Sequence, residues 1–405
     1  MDRSPRRTLI ITLPPQLLGG VASKARLFAD HLTDLGHDVT FSYYAAHRID
    51  PGINATFARA LVGGRPIVKS SRRSNGMREE AIGCWIPELE CTYTSVSSRW
   101  RELISSHDRV VAIGGSPIIA NPAARLGVPH ILWYADDLRG DREARRRAMS
   151  WPRRIFNSIV IEPALRRQQR CVFDKTTLML GVSEYSAARL RAHDGVRHDA
   201  VGRLPIPVDS EFFQPPQEIE LTGKIGFAGR IGDVRKNPAL LIEALMSLKR
   251  HIPNAKLCIA GPRDSDVEAM IKARGLENDV ELLGVLERED LRNFYQGLDA
   301  FVISSEREGL AIVGLEALAS GVPVVSTRCG GPEDYVKDGV TGYLADFDPE
   351  EIAARLTEIM ASVVRRKFFA EACRQTVEQN FSMQVFSETL DRAWSWVWDE
   401  SVGSL

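Results

Sequence analysis

Short apolar runs alternate with amphipathic stretches along the whole of this 405-residue chain. The first apolar run covers residues 9–13. From Val21 to Leu35 the apolar residues then recur three and four positions apart, which is the spacing of one helical face, and Gly36 is placed to end that helix. Strands that alternate with helices pair in parallel, because each helix carries the chain back across the sheet. We therefore expect an α/β fold with parallel sheets.

A proline-rich segment divides this pattern into two series. Four prolines fall within residues 204–216, and such a segment continues neither a helix nor a central strand. Before it we expect further strands at residues 39–43, 110–113, 130–134 and 178–180. After it we expect strands at residues 224–228, 256–260, 280–283, 300–303, 322–325 and 342–344. The helices expected between these later strands cover residues 238–249, 266–273, 289–296, 311–320 and 349–360.

The two series predict two domains, residues 1–204 and residues 205–382. A final helix over residues 383–400 is expected to pack back on the first domain. Two successive domains of this kind are expected to face each other across a cleft at the carboxyl ends of their strands, where ligands bind in open α/β sheets.

Composition limits the function classes. The formal net charge of −1 gives no global field that favours nucleic acid or membrane. The six cysteines are scattered and form no CxxC pair, so we expect reduced thiols and no zinc site. The first apolar run is too short for a signal peptide, and no stretch approaches the roughly 20 apolar residues of a membrane span. These features favour a cytoplasmic protein.

The segment FAGRIGDVRKNP, residues 227–238, predicts an anion site. It places a glycine turn between a strand and a helix, with Asn237 as a helix cap and Pro238 at the first helical position. Arg230 and Lys236 then lie near the amino end of that helix, where free amides and the helix dipole favour a diphosphate. The alternative is that both are solvated loop charges.

The segment EGLAIVGLE, residues 308–316, predicts a site for hydroxyl groups. Glu316 is the one charged residue between Gly309 and Thr327, and it lies in a helix of small and apolar residues. A carboxylate in such surroundings requires hydrogen-bond donors, and sugar or ribose hydroxyls are suitable. Glu308 precedes the helix and could accept from sugar hydroxyls. The alternative is that Glu316 points to solvent. The amides expected to face phosphate at the start of this helix belong to Gly309, Leu310 and Ala311.

These two segments resemble the donor-binding motifs of retaining glycosyltransferases of family 4, whose architecture of two Rossmann-like domains is called GT-B. The matching stretches are FAGRI with KN, EGLAIVGLEALASGVPVV and CGGPEDYVKDGVTGYL. The resemblance covers about residues 205–360 and is weaker before them. The stretch VDSEFF is similar to the family's linker, although the usual Asn-Gly is here Ile206-Pro207.

The resemblance implies a role for each matching residue. It assigns Arg230 and Lys236 to the donor diphosphate, Glu308 to the sugar hydroxyls and Glu316 to the nucleotide ribose. The backbone of Val285 and Leu286 falls where the family contacts the base.

In the N-terminal half the resemblance assigns the loop with Gly19 and Gly20 to the donor phosphate and sugar. A tight strand–helix turn explains these two glycines equally well. Ala135 stands at the place of a histidine that family members often carry. Asp136 follows it and could orient the acceptor, balance positive charge on the sugar or cap a helix.

The resemblance implies a metal-independent, retaining hexosyltransferase without a cofactor, which uses a nucleotide-sugar donor, by family habit a UDP-sugar. The acceptor could be a polysaccharide, a lipid or a small natural product. The alternatives are a catalytically silent sugar-nucleotide-binding protein and another GT-B enzyme, such as a sugar-nucleotide epimerase.

Three further features can be explained either by a function or by local structure alone. Asp346 and Asp348 have the DxD spacing of metal-binding glycosyltransferases, but the Pro-Glu-Glu that follows favours a helix cap. The segment bounded by Arg142 and Arg170 is rich in arginine and predicts a solvated helical region, a site for an anionic acceptor or a peripheral membrane contact. Residues 70–79 are expected to form a flexible loop or an element on the acceptor side.

Overall fold

The structure is a computed structural model, and it describes residues 6–14, 20–45, 52–73, 76–135 and 149–403. The described residues up to Leu204, together with those from Glu388 onward, form one compact unit. Pro205–Ser387 form the second unit. Each unit contains one sheet.

The sheet of the first unit has eight strands in the order β3-β4-β2-β1-β5-β6-β7-β8. Neighbouring strands pair in parallel except β3 and β4, which are antiparallel. The inner strands read as continuous apolar runs because helices cover both of their faces. The strand bounds are β1 (Arg7–Thr12), β2 (Asp38–Tyr44), β3 (Val68–Arg72), β4 (Arg78–Ile82), β5 (Arg109–Gly114), β6 (Ile131–Tyr134), β7 (Leu178–Gly181) and β8 (Val201–Arg203).

The helices of the first unit pack on this sheet. The predicted first helix is confirmed, and it buries Ala25, Phe28, Ala29 and Leu32. A π-helical turn, Asn157–Ile161, joins the fifth helix to the sixth. The helix bounds are α1 (Gly20–Asp34), α2 (Phe57–Leu61), α3 (Ser98–Ser106), α4 (Asn121–Leu126), α5 (Trp151–Phe156), α6 (Glu162–Lys175) and α7 (Glu184–Arg191).

The second unit has a six-stranded, all-parallel sheet in the order β11-β10-β9-β12-β13-β14. Its strands are β9 (Lys224–Ala228), β10 (Lys256–Ala260), β11 (Val280–Gly284), β12 (Ala300–Ile303), β13 (Val324–Thr327) and β14 (Gly342–Ala345). Its helices are α8 (Pro238–Lys249), α9 (Ser265–Ala273), α10 (Arg288–Gln296), α11 (Ile312–Ala319), α12 (Pro349–Ile359) and α13 (Val363–Asn380). Every strand and helix predicted for this half is present, although β13 begins two residues later than expected.

The last helix, α14 (Met383–Trp398), is attributed to the first unit from Glu388 onward. Its Trp394 is fully buried and meets the His37 ring edge-on, with ring centroids 5.4 Å apart. The Nε2 atom of His37 lies 2.8 Å from the carbonyl oxygen of Val402, and Arg109 donates to Glu400 at 2.7 Å. These contacts hold the end of the chain beside the first sheet.

Two predictions from the sequence were incomplete. The loop expected at residues 70–79 is largely the β3–β4 hairpin, which was missed because all five residues of β3 are exposed and show no apolar alternation. The 18-residue helix α13 was not predicted. It buries Arg366 among apolar residues, and the Arg366 guanidinium donates to the carbonyl oxygens of Gly321 and Leu298. A buried arginine interrupts the apolar pattern that predicts a helix.

Both sheets contain a point where the strand order reverses. In the second unit it lies between β9 and β12, and in the first unit between β1 and β5. The loops that leave the carboxyl ends of two such strands run in opposite directions and leave a crevice, which is the usual ligand site of open α/β sheets. No helix among the described residues is both long and apolar enough to cross a membrane.

Candidate functional site

The loop after β9 is built by local caps. Asp233 caps a 3₁₀ turn, Val234–Lys236, by accepting from the Arg235 amide at 3.2 Å. Asn237 adopts the left-handed conformation, with φ of 49°, and its side chain caps α8 by accepting from the Leu240 amide at 3.3 Å. Pro238 is the first helical residue. The predicted cap is confirmed, and it fixes Lys236 at the amino end of α8.

Lys236 and Glu308 form an ion pair at the reversal point of the second sheet. The Lys236 Nζ atom lies 2.5 Å from Glu308 Oε1, and the side chains are only 20% and 15% exposed. The Ser305 hydroxyl donates to the same Oε1 atom at 2.6 Å. An ammonium has three N–H groups, and this pair uses one of them. The pair therefore presents a cation that can still donate to a ligand and a carboxylate that can still accept.

Arg230 lies on the same loop but outside this pair. Its side chain is 65% exposed, and its guanidinium is 3.7 Å from the Asp233 carboxylate. An exposed arginine held by one loose contact can turn toward an arriving anion at little cost. The structure thus brings Lys236 and Glu308 together and leaves Arg230 at the rim of the loop.

The loop that carries Glu308 is held by the segment after β13. The Glu308 amide donates to the Cys329 carbonyl at 2.8 Å, and the Gly331 amide donates back to the Glu308 carbonyl at 2.9 Å. The Tyr335 hydroxyl donates to the carbonyl of Ala311 at 2.9 Å, where the chain adopts φ of 58° before α11. A left-handed alanine costs about 1 kcal/mol or more and persists only where neighbours fix it. These bonds place the predicted residues Gly309, Leu310 and Ala311 at the amino end of α11.

Glu316 lies in the second turn of α11 and is partly buried. The hydroxyl of the fully buried Tyr295 donates to Glu316 Oε2 at 2.8 Å. Burial raises the pKa of the Glu316 carboxyl to about 7, and the Tyr295 hydrogen bond and the charge of Arg288 oppose that rise. The prediction that a donor must satisfy this carboxylate was sound, but inside the protein the donor is a tyrosine. A ligand could therefore bind the carboxyl most readily through the other oxygen, Oε1.

Three glycines end the strands β9, β10 and β11. Gly229, Gly261 and Gly284 all have positive φ, and backbone bonds link them: the Gly229 amide donates to the Ala260 carbonyl at 2.8 Å, and the Gly261 amide to the Gly284 carbonyl at 2.7 Å. Val285 follows, 74% exposed, and Leu286 is partly buried. Both predicted base contacts therefore lie at the carboxyl edge, although β9 and β10 separate their strand, β11, from β12, which precedes Glu308.

The predicted residues of the first unit are only partly described. Gly19 and Asp136 lie outside the described residues, as do residues 142–148 of the arginine-rich segment. Gly20 is the first residue of α1.

One turn further along α1 lies Lys24, which is only 1% exposed and was not predicted from the sequence. Its ammonium donates to the carbonyl oxygens of Gly114 and Trp133 at 3.4 and 3.5 Å and lies 4.9 Å from the centre of the Trp133 ring. Burial lowers the pKa of Lys24 to about 7. A lysine thus ties α1 to the carboxyl ends of β5 and β6.

The DxD-like pair is structural. The Asp348 side chain caps α12 by accepting from the Glu350 amide at 3.1 Å, as predicted, and Asp346 lies 3.5 Å from Arg328. Among the residues that the structure describes, no three His, Cys, Asp or Glu side chains are grouped to hold a metal ion.

Three residues that support the site were not predicted, although the sequence contained an indication for two of them. A buried tyrosine needs a partner for its hydroxyl, so Tyr295 on the apolar side of its helix pointed to a nearby acceptor. Lys24 precedes Phe28 by four positions and therefore shares the buried face of α1. Ser305 gave no signal, because its role depends on how the loop after β12 turns.

The chain thus forms two α/β units, and in the second a cation and a carboxylate are paired where the strand order reverses. Residues 209–376 match the family described as glycosyl transferases group 1. The match covers most of the second unit.

Curated relatives share this segment. The chain is 30% identical over 190 residues to D-inositol 3-phosphate glycosyltransferase from an Arthrobacter species, which covers 43% of this chain and 45% of the relative. It is 28% identical over 306 residues to GDP-mannose-dependent alpha-(1-6)-phosphatidylinositol monomannoside mannosyltransferase from Mycolicibacterium smegmatis, which covers 71% of this chain and 76% of the relative. The chain spans about half the length of several of the curated relatives it matches.

Solved structures are similar over nearly the whole chain. Anabaena HepE in complex with UDP-glucose gives a TM-score of 0.69 at 15% identity and covers 96% of this chain and 99% of its own. Sucrose-phosphate synthase from Thermosynechococcus elongatus gives a TM-score of 0.69 at 16% identity, with 96% and 98% covered. At such identities the similarity shows the fold, which is the GT-B fold predicted from the sequence.

Proposed function

We propose that this protein is a retaining, metal-independent glycosyltransferase that moves a hexosyl unit from a UDP-sugar to an acceptor hydroxyl. The observation that carries the proposal is the Lys236–Glu308 pair at the reversal point of a sheet that lies within the segment matching the glycosyl transferases group 1 family. The pair offers both groups that a nucleotide sugar requires, a cation for the diphosphate and an acceptor for sugar hydroxyls.

In the proposed reaction the bond between the anomeric carbon and the diphosphate oxygen breaks while a bond to the acceptor oxygen forms. Negative charge collects on the leaving UDP, and the sugar becomes oxocarbenium-like. Lys236, Arg230 and the amino ends of α8 and α11 would stabilise that charge, because preorganised donors are usually the largest contribution to such catalysis. The acceptor hydroxyl would arrive on the face that the phosphate leaves, and the phosphate would take its proton.

The remaining residues would bind the donor. Glu308 would accept from sugar hydroxyls and Glu316 from the ribose through Oε1, while the backbone at Val285 and Leu286 would meet the base. Uridine is proposed because the HepE structures of similar fold contain UDP or UDP-glucose. The Mycolicibacterium relative is GDP-mannose-dependent, so a guanine donor is the specific competitor.

Gly19, Gly20 and Asp136 keep their proposed roles on the sugar and acceptor side. The acceptor is proposed to be a polysaccharide, a lipid or a small natural product. Two relatives are named for inositol-containing acceptors, which favours a polyhydroxylated one. We place the reaction in the cytoplasm, in keeping with six cysteines that are all free thiols.

A thermal-shift screen tests the donor. UDP, GDP and ADP and their hexoses are added one at a time, and UDP with its cognate sugar should raise the melting temperature most, since ligand at about 100 times its Kd adds about 2.7 kcal/mol to stability. A larger shift with GDP would replace uridine in the proposal. A chain that none of these nucleotides stabilises would remove the proposal as a whole.

An assay for released UDP separates transfer from the alternatives. A transferase releases UDP at a rate that depends on added acceptor. An epimerase converts the bound sugar without releasing UDP, and a silent binding protein gives a thermal shift without turnover. The anomeric configuration of the product, read by NMR, then tests retention.

Replacing Glu316 by glutamine should stabilise the free protein in a pH-dependent way. The folded pKa of about 7 is above the ordinary 4.5, so the folded state keeps a proton that the unfolded state has lost. The contribution of Glu316 to the free energy of unfolding therefore falls as pH rises from 4.5 to 7 and stays low above 7. Glu316→Gln should raise stability by about 1–3 kcal/mol at pH 8 and by little at pH 5.

Urea unfolding at the two pH values measures this difference. The same variant should bind UDP more weakly, because an amide is a poorer acceptor for ribose hydroxyls than a carboxylate. An equal effect on stability at both pH values would contradict the buried position of Glu316. Unchanged UDP affinity would remove its assignment to the ribose.

A further inference from the structure

The segment from Trp151 to Val160 exposes a continuous set of large apolar side chains. Trp151 is 74% exposed and Ile159 is 70% exposed, and α5 buries none of its residues. Trp151, Ile155 and Ile159 are spaced by four, so they form one stripe along the helical segment, with Phe156 and Val160 beside it. Large apolar patches that stay exposed on a folded protein mark an interaction surface.

The opposite side of the same segment is anchored in the first unit. Ile161 and Leu165 pack in a small core with Ile118, and the Gln168 side chain donates to the Cys91 carbonyl at 2.7 Å. This anchoring fixes the rotation of α6 and of the π-helical turn before it. The apolar stripe is thereby held outward.

The charges of this segment are almost all positive. Residues 151–170 contain five arginines and one acid, Glu162, which lies 3.5 Å from Arg166. The exposed arginines are Arg153, Arg154, Arg166, Arg167 and Arg170. A helical surface with an outward apolar stripe and a basic flank has the composition of an interfacial membrane helix.

We propose that residues 151–170, the docking segment, lie flat on a bilayer that contains anionic lipid. Trp151, Ile155 and Ile159 would enter the boundary between headgroups and acyl chains, while the arginines stay at the level of the lipid phosphates. A second copy of the chain fits less well. A two-fold contact through this segment would place its five arginines against the five arginines of the second copy.

Membrane docking goes beyond the proposed transfer reaction and rests on no step of it. It would bring the first unit to an acceptor that is itself held in the bilayer. Of the acceptor classes left open above, it favours the lipid.

Vesicle co-sedimentation of the full chain tests the docking segment. The probes are vesicles of phosphatidylcholine alone and of phosphatidylcholine with phosphatidylglycerol. The wild-type chain should bind the anionic vesicles, more weakly at high salt. The triple variant Trp151→Gln, Ile155→Gln, Ile159→Gln should bind them at least tenfold more weakly. Arg153→Gln with Arg154→Gln should lose most of the preference for anionic vesicles.

A matched control changes exposed apolar residues elsewhere on the same unit. Phe57 and Leu61 in α2 are also exposed, and Phe57→Gln with Leu61→Gln should leave vesicle binding unchanged. Equal sedimentation of the triple variant and the wild type would overturn the proposal. So would a wild-type dimer in gel filtration that the triple variant converts to a monomer, since a second copy would then cover the stripe.

A further readout separates this proposal from the proposed function. UDP should shift the melting temperature of the triple variant as much as that of the wild type. Loss of vesicle binding with a normal UDP shift supports docking whatever the outcome of the transfer assay. A triple variant that loses both vesicle binding and the UDP-induced shift has misfolded. The single variant Ile159→Gln then tests the proposal: it should bind vesicles severalfold more weakly and keep a normal UDP-induced shift.

Discussion

Replacing Lys236 by methionine should lower the rate of sugar transfer by about 10²–10³-fold, the range seen when one charge-stabilising donor is removed from an active site. Methionine keeps most of the length and apolar character of the side chain but removes the ammonium next to Glu308. The leaving diphosphate would then lose the cation closest to the amino end of α8. The measurement is the initial rate of acceptor-dependent UDP release at saturating donor.

The neighbouring cation supplies a matched control. Arg235 lies on the same 3₁₀ turn, but its guanidinium pairs with Asp233 at 2.8 Å. Arg235→Met should therefore keep transfer within a few-fold of the wild type. If Arg235→Met and Lys236→Met reduce the rate equally, the effect comes from distortion of the loop and not from the missing charge at Lys236.

Glu308→Gln completes the test, because the pair should act as a unit. Each single variant leaves the other residue of the pair without its partner, in a site where both side chains are less than a quarter exposed. Each should therefore lower the transfer rate nearly as much as the double variant does. Rate losses that simply add would show that Lys236 and Glu308 act on separate parts of the substrate. Near-normal transfer in both single variants would remove the proposed mechanism.

Local features of the site could be predicted from the sequence, and long-range ones could not. The caps by Asn237 and Asp348 depend on a few adjacent residues, and the sequence identified both. The contact between Lys236 and Glu308 joins residues 72 positions apart and exists because β9 and β12 are neighbours. Periodicity predicts where strands lie but not which strands adjoin. Only the resemblance to a known family predicted that both residues bind the same ligand.

The donor for Glu316 illustrates the same limit. Its apolar surroundings predict that something must hydrogen-bond the carboxylate, and a ligand hydroxyl was the expected partner. Tyr295 supplies one such bond from α10, 21 residues earlier in the chain. The sequence contained both residues but not the packing that brings α10 beside α11. A ligand therefore meets a carboxyl group in which one oxygen, Oε2, already accepts a hydrogen bond.

The sequence predicted the site residues of the second unit better than those of the first. In the second unit Arg230, Lys236 and Glu308 fall on the two loops that flank the reversal of strand order. In the first unit Lys24 reaches the carbonyl of Gly114, which ends β5 at the corresponding reversal. A buried lysine there was not predicted, because lysine normally counts as a surface residue in an amphipathic pattern. Its position at a reversal point makes it the next residue to test on the sugar side.

Replacing Gly261 by alanine should destabilise the second unit by about 3 kcal/mol or more. The new Cβ atom would lie 1.9 Å from the carbonyl oxygen of Gly229. The oxygen is a backbone atom and the position of Cβ is fixed by the backbone, so neither atom can turn away. Relief requires the ends of β9 and β10 to move apart. That movement carries the loop with Arg230 and Lys236, so Gly261→Ala should also bind UDP at least tenfold more weakly.

Gly284→Ala separates this clash from the conformational preference of glycine. Gly284 also has positive φ, 73°, but nothing lies within 4 Å of an added Cβ atom. Gly284→Ala should lower the free energy of unfolding by only about 1 kcal/mol. Urea unfolding gives the free energies, and calorimetric titration with UDP gives the affinities. If both variants lose the same stability and bind UDP equally, the close approach of Gly261 to Gly229 does not shape the loop that carries Arg230 and Lys236. The position proposed for Lys236 on the ligand would then lose its support.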